Sequence, residues 1–220
     1  MSKSKKVWIP AFIAVVTALI LVVIYSNVEL SHRGEALHAR PHGVDQGALR
    51  ESTHRPAEGE GRYGGYFSTL GTVALYSGAA GFSWIWFKRK QKSPLIWIRK
   101  VGKLLHAMHK SLGWFTLIII AIHGIYFLFT KIHDNKIYSG LASFTILLAL
   151  AGYGYFINKV RNKWMRVVHR SLGMIWVPVL FLHAGGSTII AVVSSLAVGG
   201  LVWVFERSAG KDKKPVPGDR

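Results

Sequence analysis

His109-Lys110-Ser111-Leu112-Gly113 returns sixty residues later as His169-Arg170-Ser171-Leu172-Gly173, and each copy is followed at the same distance by a second histidine, His123 and His183. Both copies sit in long apolar runs, Leu104–Thr130 and Val167–His183. Fourteen residues of α-helix turn through about 1400°, about 40° short of four turns, and rise ~21 Å. His109 and His123 therefore share one helix face, as do His169 and His183, with one histidine near each end of a membrane crossing. The sixty-residue offset covers two crossings, so the two histidine-bearing helices are parallel and carry their histidines at matching depths.

Outward from that repeat, the chain is a series of apolar runs. Of its 220 residues, 50% are hydrophobic, and they gather into Val7–Tyr25, Tyr66–Phe87, Leu104–Thr130, Tyr138–Ile157, Val167–His183 and Thr188–Phe205. A bilayer core of about 30 Å needs roughly 20 apolar residues of helix, so the expected fold is an all-α integral membrane protein, a six-helix transmembrane bundle. Leu104–Thr130 is longer than a crossing requires and should tilt or project. Pro178 falls inside the shortest run, where neighbouring helices can satisfy the carbonyl it frees at the cost of a kink. The first run reads as an uncleaved anchor, because it is longer than a signal-peptide core and Tyr25-Ser26-Asn27 makes a poor cleavage site.

The net charge of +18 is distributed as an orientation signal. With the amino terminus in the cytoplasm, 21 of the 28 Lys and Arg residues fall on the cytoplasmic side with only Glu206, Asp212 and Asp219, while the outer side holds 7 basic and 7 acidic residues. Basic residues in short loops set orientation, which places both termini in the cytoplasm of a multi-pass protein of the cell inner (plasma) membrane. The excess charge then serves contact with anionic membrane lipid, and nucleic acid is not an expected partner. Residues 1–26 form the first anchor, 27–65 an outer polar loop, 66–205 the bundle and 206–220 a basic cytoplasmic tail. Within the bundle, Pro94 opens an amphipathic segment, Leu95–Ile98, expected to lie at the interface, and Ala184–Ser187 turns the last two runs into a close hairpin.

With 0 Cys, thiolate-ligated heme, iron–sulfur clusters and covalent heme attachment are excluded for this chain, and histidine is left as the natural ligand. If the two histidine faces meet, His109 opposes His169 and His123 opposes His183, and each pair can supply the two axial imidazoles of a heme b. Gly113 and Gly173, one turn beyond the first histidines, would let a porphyrin approach the backbone. Gly124 and Gly185-Gly186 are placed to do the same beside the second pair. Lys110 and Arg170 are placed to pair with propionates, and Ser111 and Ser171 with either a propionate or the preceding turn. A lone histidine in an apolar helix is more often a hydrogen-bond partner between helices. Four with the same spacing, flanks and depth favour two bound hemes over that reading.

Other candidates carry less. His106 is a spare or supporting group or, more simply, a solvated boundary residue, and His133 an exposed turn residue. His32, His38, His42 and His54 have spacings that match no compact metal site and read as an ordinary polar loop. Trp84, Trp86, Trp97, Trp164 and Trp203 lie near run ends, where interfacial tryptophans belong. Trp114 and Trp176 lie deeper, where a porphyrin or plain packing would occupy them equally well.

In its histidine pattern, His109-Lys-Ser-Leu-Gly with His123 and Trp164-Met-Arg-Val-Val-His169-Arg-Ser-Leu-Gly with His183, the stretch from about Tyr66 to Phe205 resembles the ferric-reductase-like transmembrane domain family. That family includes ferric reductases, NADPH oxidases and the heme-binding membrane subunit of the bacterial methionine sulfoxide reductase system. The resemblance implies six crossings, an inner heme on His109 and His169 and an outer one on His123 and His183. Ferric reductases and oxidases of the family usually carry a cytoplasmic flavin and nicotinamide domain, and this sequence has no room for one. The expected function is therefore that of an electron-transfer subunit, carrying electrons from a separate flavoprotein reductase or a membrane quinol to an outer-face acceptor. Two alternatives stand beside it: a quinol-oxidising cytochrome b subunit of a larger redox complex, and a metal or proton transporter using the same histidines.

Overall fold

The computed structural model describes residues 3–38, 63–90, 93–160 and 162–211, and every regular element among them is helical. Six α-helices follow one another: α1 (Lys3–His38), α2 (Gly64–Phe87), α3 (Ile96–Thr130), α4 (Lys136–Phe156), α5 (Lys163–Ala184) and α6 (Gly186–Lys211), with a single 3₁₀ turn at Lys88–Lys90. Five are long and apolar enough to cross a membrane, α1 over Val7–Ser31, α6 over Gly186–Ala209, and α3, α4 and α5 over their whole lengths. The expectation of six such helices is met in length but not in apolarity by α2. Its four interior glycines (Gly65, Gly71, Gly78, Gly81) and its Ser, Thr and Tyr residues dilute a run that is otherwise continuous. Small residues let helix backbones approach closely inside lipid, and α2 uses its glycines in that way, as the site below makes plain.

Packing follows from this distribution of small and large side chains. Helix α1 lays Ala11, Ala14 and Ala18, all buried, against α4 and α5. The hydroxyl of Tyr153 on α4 is inserted into α1, accepting from the Ala11 N–H (3.1 Å) and donating to the Val7 carbonyl. Both groups belong to the turn of α1 around Pro10. Leu75, Leu117, Ile146, Leu147, Val168, Leu172, Val179 and Leu180 form the central core. Around it, large apolar side chains such as Phe12 (69% exposed), Ile118 (56%), Phe129 (82%) and Met174 (66%) point outward. So much exposed hydrocarbon on a helical bundle is the surface of a protein solvated by lipid rather than by water.

Three local expectations are revised. The segment after Pro94 is the first turn of α3 rather than a separate piece. Proline suits a helix start, and Ile98, with no exposed surface, packs against Phe87 and Val202. The polar stretch after Ser26 continues α1 as far as His38, while most of the outer loop (39–62) and the tail from 212 onward lie outside the described residues. Helix α6 likewise runs on past Phe205 to Lys211, and Glu206 there is ion-paired with Lys90 of the 3₁₀ turn. The tight turn between α5 and α6 holds as read: Gly185 alone separates the helices, with φ 55°, a left-handed value that favours glycine. Pro178 lies inside an uninterrupted α5.

Candidate cofactor site: two facing histidine pairs

Helices α3 and α5 bring the four histidines together in the two pairs that the repeat predicts. The rings of His109 and His169 face each other with centroids 6.2 Å apart and planes 84° apart. Those of His123 and His183 stand 6.4 Å and 85° apart. An imidazole–metal–imidazole axis with bonds of about 2.0 Å and a ring centre roughly 1.1 Å behind each nitrogen spans ~6.2 Å. The separations in both pairs match that span. Direct hydrogen bonding between rings would draw them closer together.

Each imidazole is also held from behind. His109 Nδ1 lies 3.0 Å from the Gly81 carbonyl, His123 Nδ1 2.7 Å from that of Phe67, and His169 Nδ1 3.0 Å from that of Leu150. His183 Nδ1 lies 3.3 Å from Ser139 Oγ, whose own proton goes to the Lys136 carbonyl at 2.9 Å. A carbonyl only accepts, so in the first three rings the proton sits on Nδ1. In the fourth the hydroxyl has already given its proton away and accepts as well. Nε2 is left with a free lone pair in all four, the tautomer of a metal-ligating histidine whose other nitrogen is bonded to an outer partner.

These outer partners form a second repeat. Phe67 and Gly81 on α2 are fourteen residues apart, and so are Lys136 and Leu150 on α4, the same interval as the histidines they support. Three of these carbonyls are followed one turn later by glycine: Gly71 after Phe67, Gly140 after Lys136, Gly154 after Leu150. The reason is steric. A Cβ at Gly71 would stand 2.7 Å from His123 Cε1, one at Gly140 2.9 Å from His183 Cε1, and one at Gly154 3.1 Å from His169 Cε1. Each ring thus fits against its carbonyl because the next turn has no side chain. Sequence reasoning missed these glycines because it sought them on the histidine-bearing helices. The fourteen-residue interval between Gly140 and Gly154 was the available signal.

The sequence-predicted glycines divide. At Gly113 an added Cβ would meet nothing within 4 Å, so the face beside His109 is open, and the same holds at Gly124, Gly185 and Gly186. Gly173 is buried instead, with Leu150 Cδ1 3.8 Å from where its Cβ would be. Lys110 and Arg170 are exposed, each directly after a histidine of one pair. His106 turns away from the pairs and stacks on Trp84, ring centroids 4.6 Å apart. His133 is exposed in the α3–α4 turn, and the side chains of His32, His38, His42 and His54 lie outside the described residues.

Between the pairs the bundle is closed. Thr116 and Trp176 each lie seven residues from both histidines of their helix. Trp176 is buried, donates to Ser143 Oγ at 3.0 Å, and rests its ring where Gly78 of α2 has no side chain. Thr116 donates to Ser77 at 3.2 Å. Trp114 reaches the α4 edge, meeting Tyr155 in a T-shaped contact. Beside His123, Phe67 and Tyr126 stack 3.8 Å apart with planes 4° apart, and Phe127 leans on the imidazole at 4.9 Å.

The donor set discriminates among occupants. A tetrahedral zinc site takes its ligands from four protein groups, or three and a water, and no cluster of three or more His, Cys, Asp or Glu occurs among the described residues. Two opposed imidazoles suit a metal that brings its remaining donors with it, as the iron of a porphyrin does. The residues present thus fit a heme at each pair. In comparisons with known proteins, no family model, no curated protein and no solved structure matched this chain.

Proposed function

We propose that this chain binds two b-type hemes, one between His109 and His169 and one between His123 and His183, and carries electrons between the two sides of the membrane. The observation that supports this best is the pairing of 6.2 and 6.4 Å ring separations with four Nδ1 atoms all engaged from behind. In this reading α2 is a sixth crossing, its small polar residues turned to histidine packing. The distribution of basic residues puts both termini in the cytoplasm of the inner (plasma) membrane. His109 and His169 then form the inner site and His123 and His183 the outer one.

The bound hemes supply one-electron chemistry at the iron. The residues of this chain hold the ligand nitrogens deprotonated, exclude water with the Trp176 and Thr116 layer, and fix the two sites one above the other. His109 and His169 would hold one group and His123 and His183 the other, the two sites being separated along α3 and α5 by a rise of ~21 Å. Lys110 and Arg170 are positioned for the inner propionates. The electron donor is a separate flavoprotein or a membrane quinol, the acceptor lies at the outer face, and the chain is the electron-transfer subunit of an oxidoreductase. A proton-transporter reading fits less well, because the carbonyls behind three of the Nδ1 atoms would end any relay through the rings.

Vesicles reconstituted with the purified chain and loaded with an impermeant ferric chelate test this. An impermeant reductant added outside should reduce the enclosed iron, and His123→Ala should abolish the flux while leaving the first heme reducible. Equal flux in His123→Ala would contradict the conduit. For orientation, a reporter active only outside the cytoplasm should work near Gln46 and fail near Lys90 or after Arg220; the reverse pattern would exchange inner and outer.

A further inference from the structure

Three of the four imidazoles donate to main-chain carbonyls, which no side-chain substitution can remove. His183 alone also has a side-chain partner, Ser139 Oγ, beside the Lys136 carbonyl. Ser139 has no exposed surface, and its hydroxyl is committed on both sides, accepting from His183 and donating to the Lys136 carbonyl. Its neighbour Gly140 makes the approach possible, since a Cβ there would stand 2.9 Å from His183 Cε1. One residue of the Ser139-Gly140 pair bonds the ring and the next makes room for it.

Resting on the diheme reading above, we propose that Ser139 is a positioning residue that sets the redox potential of the heme between His123 and His183 independently of the other heme. A partner on the outer nitrogen of a ligating imidazole orients the ring and raises its basicity. A more basic ligand stabilises ferric over ferrous iron and lowers the midpoint. The Ser139 contact, at 3.3 Å, is the longest of the four, just beyond the usual N–H···O range of about 2.7–3.2 Å. The His183 end of this site is therefore the end at which a side chain controls donor strength. Removing the hydroxyl takes from His183 one of its two acceptors and leaves the Lys136 carbonyl, so the midpoint of that heme rises.

Potentiometric titration of the purified, heme-loaded chain tests this with Ser139→Ala and Ser139→Thr. In Ser139→Ala one of the two midpoints moves upward and the other stays. In Ser139→Thr, which keeps the hydroxyl, both stay at their wild-type values. Loss of one heme in Ser139→Ala with retention of both in Ser139→Thr assigns the same role through occupancy. Two bound hemes with unchanged or lowered midpoints in Ser139→Ala, or an equal shift in both variants, overturns the assignment of Ser139 while leaving the diheme reading intact. A wild-type chain that takes up no heme sinks both, and that result appears before any variant is made.

Discussion

The two histidine pairs have nearly the same internal geometry but different settings. At His109 and His169 both outer partners are carbonyls at 3.0 Å, and the facing glycines leave moderate room, with a Cβ at Gly81 3.8 Å and one at Gly154 3.1 Å from the nearest imidazole atom. At His123 and His183 one partner is a carbonyl at 2.7 Å and the other a hydroxyl at 3.3 Å. There the facing glycines are tighter, at 2.7 and 2.9 Å, and Phe127 leans on one imidazole. Ring separation is duplicated, as the proposed ligation would require. The setting answers to each end of the membrane and is not. Two sites alike in spectrum but unlike in potential and in tolerance of substitution should follow.

The strongest way to break the comparison is to remove a ligand. His109→Ala and His169→Ala should each lose the same heme and keep the other, and His123→Ala and His183→Ala should lose the complementary one. Difference spectra and midpoints of the four variants check this. Different surviving midpoints in His109→Ala and His169→Ala would dissolve the pairing. Each loss should also lower thermal stability through lost ligand linkage, whereas His106→Ala should retain both hemes.

Alanine at the facing glycines gives a smaller and graded effect. Gly71→Ala and Gly140→Ala force the ring or helix to shift, an overpacking cost of about 1–3 kcal/mol, or roughly 5- to 150-fold in heme affinity. Gly154→Ala should cost less. Gly81→Ala should stay within about 0.5 kcal/mol, near twofold. Competitive heme transfer to an apo-acceptor protein ranks the four. A larger loss at Gly81 than at Gly71 would mean that the settings of the two sites have been exchanged.

The histidine-bearing helices were legible in the sequence because their side chains form a residue-type signal at a fixed period: four histidines at one interval, with a shared flank. Their supporting helices were legible only as apolar runs. Phe67, Gly81, Leu150 and Lys136 contribute main-chain carbonyls, which any residue provides, so nothing in residue identity marks them. Ser139 alone was chemically visible, but serines within helices bond their own backbone, as this one does to Lys136, often enough that it did not stand out. Helix α2 shows the limit of hydropathy: the glycines that bring it close to His123 and Trp176 also lower its apolarity. Leu95–Ile98 was legible as an amphipathic segment but not as the start of α3, where Ile98 packs against Phe87 and Val202 while Ile96 and Trp97 stay exposed.

The most direct test of the central claim is the heme content of the purified chain after full reconstitution, measured with its reduced-minus-oxidised spectrum. Two noncovalent hemes per chain are expected, both extractable with acid acetone because there are 0 Cys to tether them, and resolving into two midpoints on titration. One heme or none per chain would contradict the account.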